Sequence, residues 1–217
     1  MKPFVTCAQM KLLEKLADES GLSYYQMMEN AGTRAFQLIC EKFTGAPADA
    51  KLIIFCGKGN NGGDGFVVAR KFYELGAAIT VVLVDGEPTT PDAITNYQLI
   101  KDKIDVSTME AFDASTPANI IVDAIYGTGF HGQLRPNGLN ATEWINQQDA
   151  MVCALDIPSG LSGDAESMEI CDYKATKADI TITFHNKKPV HLQDFAVEYC
   201  GEVLIADIEI DEDSFEI

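Results

Sequence analysis

The chain is short of positive charge: 16 lysines and arginines stand against 33 aspartates and glutamates, a net charge of −17 over 217 residues. A nucleic acid or an anionic membrane surface would repel it, so neither is expected as a partner. Histidine is scarce, at three residues, and the six cysteines (7, 40, 56, 153, 171 and 200) include no C-x-x-C pair. That argues against a zinc site and against a disulfide frame. Single cysteines in apolar runs, such as Cys56 and Cys153, behave as small buried hydrophobes of a reducing compartment. No run approaches the ~18 apolar residues of a membrane span. The opening Met1-Lys2-Pro3-Phe4 lacks an apolar signal core, so a cytoplasmic location is expected. Linkers, repeats and low-complexity segments are missing too, which suits one domain over residues 1–217. So are the phosphate loop G-x-x-x-x-G-K-[ST] and the nucleophile elbow G-x-S-x-G.

What is present is an alternation of apolar runs and helix-like segments, with 47% apolar residues, enough for a full core. Two helices are expected in the first forty residues; in the second, Tyr24, Met28, Ala31, Ala35, Leu38 and Ile39 describe one apolar face. Strands are expected at 52–56, 79–84, 120–125, 152–156, 180–184 and 203–206, with helices at 66–75, 93–103 and 139–147. The first four strands are nearly continuous apolar runs, as in a sheet covered on both faces. The expected fold is α/β: a three-layer αβα sandwich, Rossmann-like, with a mostly parallel, doubly wound sheet and two extra N-terminal helices. The acidic tail from Asp207 to Ile217 reads as a solvated end.

Three polar turns follow three of these strands. The first, Gly57-Lys58-Gly59-Asn60-Asn61-Gly62-Gly63-Asp64-Gly65, has five glycines in nine residues, more than packing is expected to need. It reads as a loop that brings backbone N–H groups to a ligand and feeds a helix N-terminus. The second runs from Asp123 through Gly127, Thr128, Gly129, Phe130, His131 and Gly132 to Gln133. The third is Asp156-Ile157-Pro158-Ser159-Gly160-Leu161-Ser162-Gly163-Asp164. In a parallel sheet all three emerge on one side and rim one cavity. Asp123 ends an apolar strand, where an ionised carboxylate needs a cation or a dense set of hydrogen bonds. Asn61, Asp123 and Ser159 together offer an amide oxygen, a carboxylate and a hydroxyl. That is a hard oxygen set suited to a weakly held cation of low charge.

Two readings compete on motifs alone. Gly57-x-Gly59-x-x-Gly62 fits the dinucleotide fingerprint, with Asp85 about 20 residues on where a ribose-binding acid belongs, as in an NAD(P)-dependent dehydrogenase. Against it, the motif starts behind two helices and leaves little chain for a substrate domain. A serine hydrolase using Ser159 with His185 or His191 lacks the elbow, and Pro158 precedes the serine awkwardly.

The segment Gly59 to Gly65 with Val68-Ala69-Arg70 resembles the signature of the NAD(P)H-hydrate epimerases, the YjeF amino-terminal-domain family. Met28-Glu29-Asn30-Ala31-Gly32, Asp123-x-x-x-Gly127-Thr128-Gly129, Asp156-Ile157-Pro158-Ser159-Gly160, and Ala178-Asp179-x-Thr181-x-Thr183-Phe184 with Lys188 follow in the family's order. The resemblance implies interconversion of the R and S forms of NADHX and NADPHX, the reduced nucleotides hydrated at C6. It also implies a homodimer, and coupling to an ATP- or ADP-dependent dehydratase, here expected on a separate chain. Carried over by position, Asn60, Asn61, Gly62, Gly63, Asp64 and the residues from Gly127 to Gln133 would bind substrate beside Asp156, the candidate acid/base. Asn61, Asp123 and Ser159 would hold one potassium ion per subunit. Replacing Asp156 by Asn is expected to leave the fold intact. A non-catalytic nucleotide sensor with the same pocket is the remaining alternative. The run Asp207-Ile208-Glu209-Ile210-Asp211 departs from the family's usual closing strand, as does the segment from Phe184 to Pro189.

Overall fold

A computed structural model describes residues 3–215, so Met1, Lys2 and the last two residues of the tail lie outside the described residues. Thr6 opens the first helix, α1 (Cys7–Glu19), with its side chain on the Gln9 N–H and the Gln9 side chain on its own N–H. Ser23 caps α2 (Tyr24–Lys42) in the same position. Then come β1 (Lys51–Cys56), α3 (Asn60–Glu74), β2 (Ala78–Leu83), α4 (Pro91–Ile100), β3 (Asp105–Thr108) and β4 (Ile120–Ala124). The chain continues through α5 (Pro136–Ile145), β5 (Met151–Leu155), β6 (Ile180–Phe184), the single turn α6 (Val197–Cys200) and β7 (Glu202–Ala206).

The strands form one wholly parallel sheet in the order β3-β2-β1-β4-β5-β6-β7. Strand order reverses between β1 and β4, and a ligand crevice opens at such a point. Alternate residues of the central strands feed opposite cores. Leu52, Ile54 and Cys56 of β1 face a core shared with the first four helices, whereas Ile53 and Phe55 face one shared with α5. That is the three-layer sandwich expected from the apolar runs.

Three details differ from the sequence reading. The short edge strand β3 was not expected, because Asp-Val-Ser-Thr carries no apolar run. The glycine segment is not a loop: α3 starts at Asn60. Its glycines answer a packing demand after all. A Cβ on Gly57 would collide with the Ile125 carbonyl, and one on Gly62 with the Gly57 carbonyl. The start of α3 is thus pressed onto the ends of β1 and β4, which only bare backbone allows. Finally, the tail is not wholly solvated. Ile208 and Ile210 alternate with acidic residues, and both are buried in the core. Asn30 donates to the Ile208 carbonyl and fastens this segment to α2.

Candidate active site

The carboxyl ends of β1, β2, β4 and β5 surround a cleft of about 860 Å³, large enough for a dinucleotide. Asn60, Asn61 and Asp64 reach it from the first turns of α3. Gly127, Thr128, Gly129, Phe130, His131 and Gln133 line it from the turn after β4, and Asp156 from the turn after β5. Gly62, Gly63 and Gly132 do not line it; the first two form the packed floor behind Asn60 and Asp64. The cap residue of α3, Gly59, has no side chain to satisfy the first N–H groups of the helix, which leaves them for an anion.

Asp123 and Ser159 lie beneath the cleft, against each other. The Ser159 hydroxyl donates to Asp123 Oδ1 at 2.6 Å, and the Ser159 N–H donates to Asp123 Oδ2 at 2.8 Å. Ile125 N–H adds a third hydrogen bond, and Tyr126 N–H donates to the Ser159 oxygen. Asp123 is fully buried, and that desolvation lifts its pKa despite those donors; among the described residues no positively charged side chain pairs with it. Both polar atoms of the Asn61 side chain, which lies with Asp156 against Gly127, are buried without a hydrogen-bond partner. An orphaned amide oxygen, a buried carboxylate and a serine hydroxyl are together a donor set that suits a cation. No histidine is among the hydrogen-bond partners of the Ser159 hydroxyl, which removes the hydrolase reading.

Asp156 is arranged differently. It takes a left-handed backbone conformation, φ 63°, at the end of β5, and this turns its carboxylate into the cleft. Its Oδ2 accepts the Thr128 N–H at 2.9 Å, and its Oδ1 pairs with Lys188 Nζ at 2.7 Å. Lys188 is itself fully buried, and donates also to Thr183 Oγ1 and the Phe184 carbonyl. Burial alone would raise the Asp156 pKa, but the Lys188 ammonium and the Thr128 N–H outweigh it, so Asp156 sits below the usual carboxylate range. It is an ionised base at neutral pH. His191, whose Nδ1 accepts the Lys188 N–H, is held neutral by burial and by that ammonium, its pKa pushed down to about 3.

The pair changes one expectation. Asn at 156 would leave a buried ammonium without its counter-charge, so that variant is not neutral for the fold. Sequence reasoning placed Lys188 only in a family-like run, within a segment that departs from the family's usual form. The sequence reading missed α1 as a wall of the cleft, which carries two charged residues there. Glu14, on the polar edge of an amphipathic helix, has its pKa raised to about 7 by burial and by the Asp156 charge. Lys11 lies beside it in the lining. Asp64, buried and facing Asp156 and Glu14, is lifted well above the ordinary carboxylate value. The Met28-Glu29-Asn30 segment serves packing: Glu29 pairs with Arg70 across α2 and α3, which accounts for both motifs at once.

A family model described as YjeF-related protein N-terminus matches residues 24–190. The chain belongs to this family. Among curated relatives of this YjeF-related chain, the bifunctional NAD(P)H-hydrate repair enzyme Nnr of Archaeoglobus fulgidus is 38% identical over 98% of the chain and 43% of its own length. The NAD(P)H-hydrate epimerase of Roseobacter litoralis is 34% identical over 94% of the chain and 98% of its own length. That of Nitrosopumilus maritimus is 37% identical over 85% of the chain and 86% of its own length. The chain spans about two-fifths of the bifunctional relatives it matches. The crystal structure of the yeast protein ynu0 shares the fold, with a TM-score of 0.71 at 23% identity, over 87% of this chain and 82% of that one. Among the described residues no helix is long and apolar enough to cross a membrane.

Proposed function

We propose that this YjeF-related chain is an NAD(P)H-hydrate epimerase, exchanging the R and S forms of reduced nicotinamide nucleotides hydrated at C6. The observation that carries the reading is the Asp156–Lys188 pair at 2.7 Å, an ionised carboxylate fixed on the wall of a dinucleotide-sized cleft. C6 of the hydrated ring bears both a hydroxyl and the ring nitrogen. Asp156 takes the hydroxyl proton; the C6–N bond opens, its electron pair passing to nitrogen, and C6 becomes an aldehyde. Rotation about the adjoining bond presents the other face. The nitrogen then adds back to C6, and Asp156 returns the proton to oxygen. Loss of the hydroxyl as water would instead need a protonated acid at that oxygen, a part for Asp64 or Glu14, whose pKa values are raised, and not for Asp156. Lys188 keeps the carboxylate charged, and Thr128 N–H orients it.

Asn61, Asp123 and Ser159 are proposed to hold a potassium ion, supported by the orphaned Asn61 amide and the uncompensated Asp123. When bound, the ion would balance the Asp123 charge and tie the three turns together. Substrate is assigned to Asn60, Asn61, Asp64 and the lining of the 127–133 turn. A homodimer belongs to the same reading; the exposed Ile205 on edge strand β7 gives it a surface to bury. The cytoplasmic assignment is supported by six free thiols, four of them buried.

The test supplies purified protein with the R hydrate, potassium and an excess of an S-specific dehydratase, and follows recovery of nicotinamide absorbance. Acceleration over the spontaneous rate is expected. No acceleration by folded protein that still binds NADH would leave the sensor reading. Hydride exchange with ordinary NAD(P) would favour the dehydrogenase.

A further inference from the structure

The cleft has a second polar cluster, at the end of β2, that the chemistry at Asp156 does not use. Asp85 sits there with its side chain 10% exposed, and two donors share one of its oxygens: the Tyr126 hydroxyl at 2.9 Å and Arg135 Nη1 at 3.0 Å, both on Oδ2. Tyr126 stacks on Phe130 with ring centroids 5.2 Å apart, and Arg135 lies over the Tyr126 ring at 5.8 Å. Burial and the Asp85 charge both raise the Tyr126 pKa, so its hydroxyl stays a donor. Asp85 is thereby fixed in place, with Oδ1 left open to the cleft it lines.

Position says what that oxygen meets. Strands β2, β1, β4 and β5 are neighbours in that order. Three inter-strand steps separate the ends carrying Asp85 and Asp156, roughly 14 Å. A dinucleotide laid across the strand-order reversal with its nicotinamide at Asp156 puts its other nucleoside over β2. An acid at this place in parallel sheets accepts the 2′-hydroxyl of the adenosine ribose, whereas an unpaired arginine there takes a 2′-phosphate. Here Arg135 is already engaged by Asp85.

We infer that Asp85 selects the nucleotide: its open carboxylate oxygen accepts a ribose 2′-hydroxyl and repels a 2′-phosphate, so the non-phosphorylated hydrate is preferred over the phosphorylated one. The inference rests on the proposed substrate class but is readable without turnover. The experiment titrates the full protein, and an Asp85→Asn variant, with NADH and with NADPH as probes, following nicotinamide fluorescence. Asn keeps an acceptor oxygen for Tyr126 and Arg135, loses the charge, and turns an amide donor toward the ribose. The wild type is expected to bind NADH roughly tenfold more tightly, and the variant to bring the two within about threefold, mainly through tighter NADPH binding. Melting curves of both proteins establish that each is folded. Equal binding by the wild type, or an unchanged ratio in the variant, would overturn the inference. The ratio measured with no epimerisation would instead count against the enzyme reading while leaving Asp85 as the selector.

Discussion

The ends of β4 and β5 are neighbours in the sheet, and each carries a buried aspartate, yet they solve the same electrostatic problem in opposite ways. At β5, Asp156 has a lysine from the chain itself, and its pKa falls. At β4, Asp123 has only N–H and O–H donors, and desolvation lifts its pKa. On the proposed function, the contrast would separate a carboxylate kept charged to face substrate from one left for a cation to complete. On that proposal the Lys188 ammonium keeps a base ready at Asp156, and a removable cation at Asp123 would organise the loops without touching the reacting ring.

The largest expected effect comes from erasing the difference at the β5 end. Lys188→Met leaves a buried carboxylate unpaired, at a cost of about 3–5 kcal/mol in stability by chemical denaturation. With the ammonium gone, the Thr128 N–H is left to oppose burial at Asp156, so the acid limb of the kcat/KM–pH profile should move upward. A profile that stays put would mean that Lys188 does not set the charge of Asp156. The sign for stability follows from the wild-type shift. Because the folded pKa of Asp156 is depressed, its contribution is fully present above about pH 4 and is lost as pH falls further. The variant should lack that part of the acid loss.

Next comes the β4 end. Potassium at about 100 times its Kd should stabilise the protein by about 2.7 kcal/mol, which raises the melting temperature roughly 5–10 °C over an equal concentration of tetramethylammonium. Asp123→Asn should abolish that difference, while variants at the β5 end should retain it. Identical melting in both salts would leave the Asn61 amide and Asp123 without their proposed partner.

The smallest effect concerns the carboxyl groups crowded opposite Asp156. Glu14 has a folded pKa raised to about 7, so its contribution is fully present below about pH 4.3 and disappears as pH rises through about 7. Glu14→Gln should flatten the decline in stability between about pH 5 and about pH 8 by on the order of 1–2 kcal/mol. An unchanged slope would place the Glu14 carboxyl in solvent.

Much of this arrangement was legible from residue order. Continuous apolar runs marked the central strands, and polar residues at three strand ends located the rim. Less visible was anything whose meaning depends on a distant partner. Glycines 57 and 62 read as ligand loop because the carbonyls they make room for are supplied only when α3 docks on β1 and β4. Lys188 sits in a run of polar residues and is drawn inside by Asp156, Thr183 and the Phe184 carbonyl. Edge strand β3 exists because β2 pairs with it, not because Asp105 to Thr108 is a strand former. Local pattern reports local structure well and the counter-charge of a buried group poorly.

The most direct measurement follows a single R epimer by proton NMR at neutral pH as it approaches the R/S mixture, with wild-type protein and with Asp156→Asn, each first shown to bind NADH. The wild type should equilibrate the epimers rapidly and the variant roughly 10²–10⁴-fold more slowly. Equal rates for the two would contradict the claim that the carboxylate beside Lys188 moves the proton.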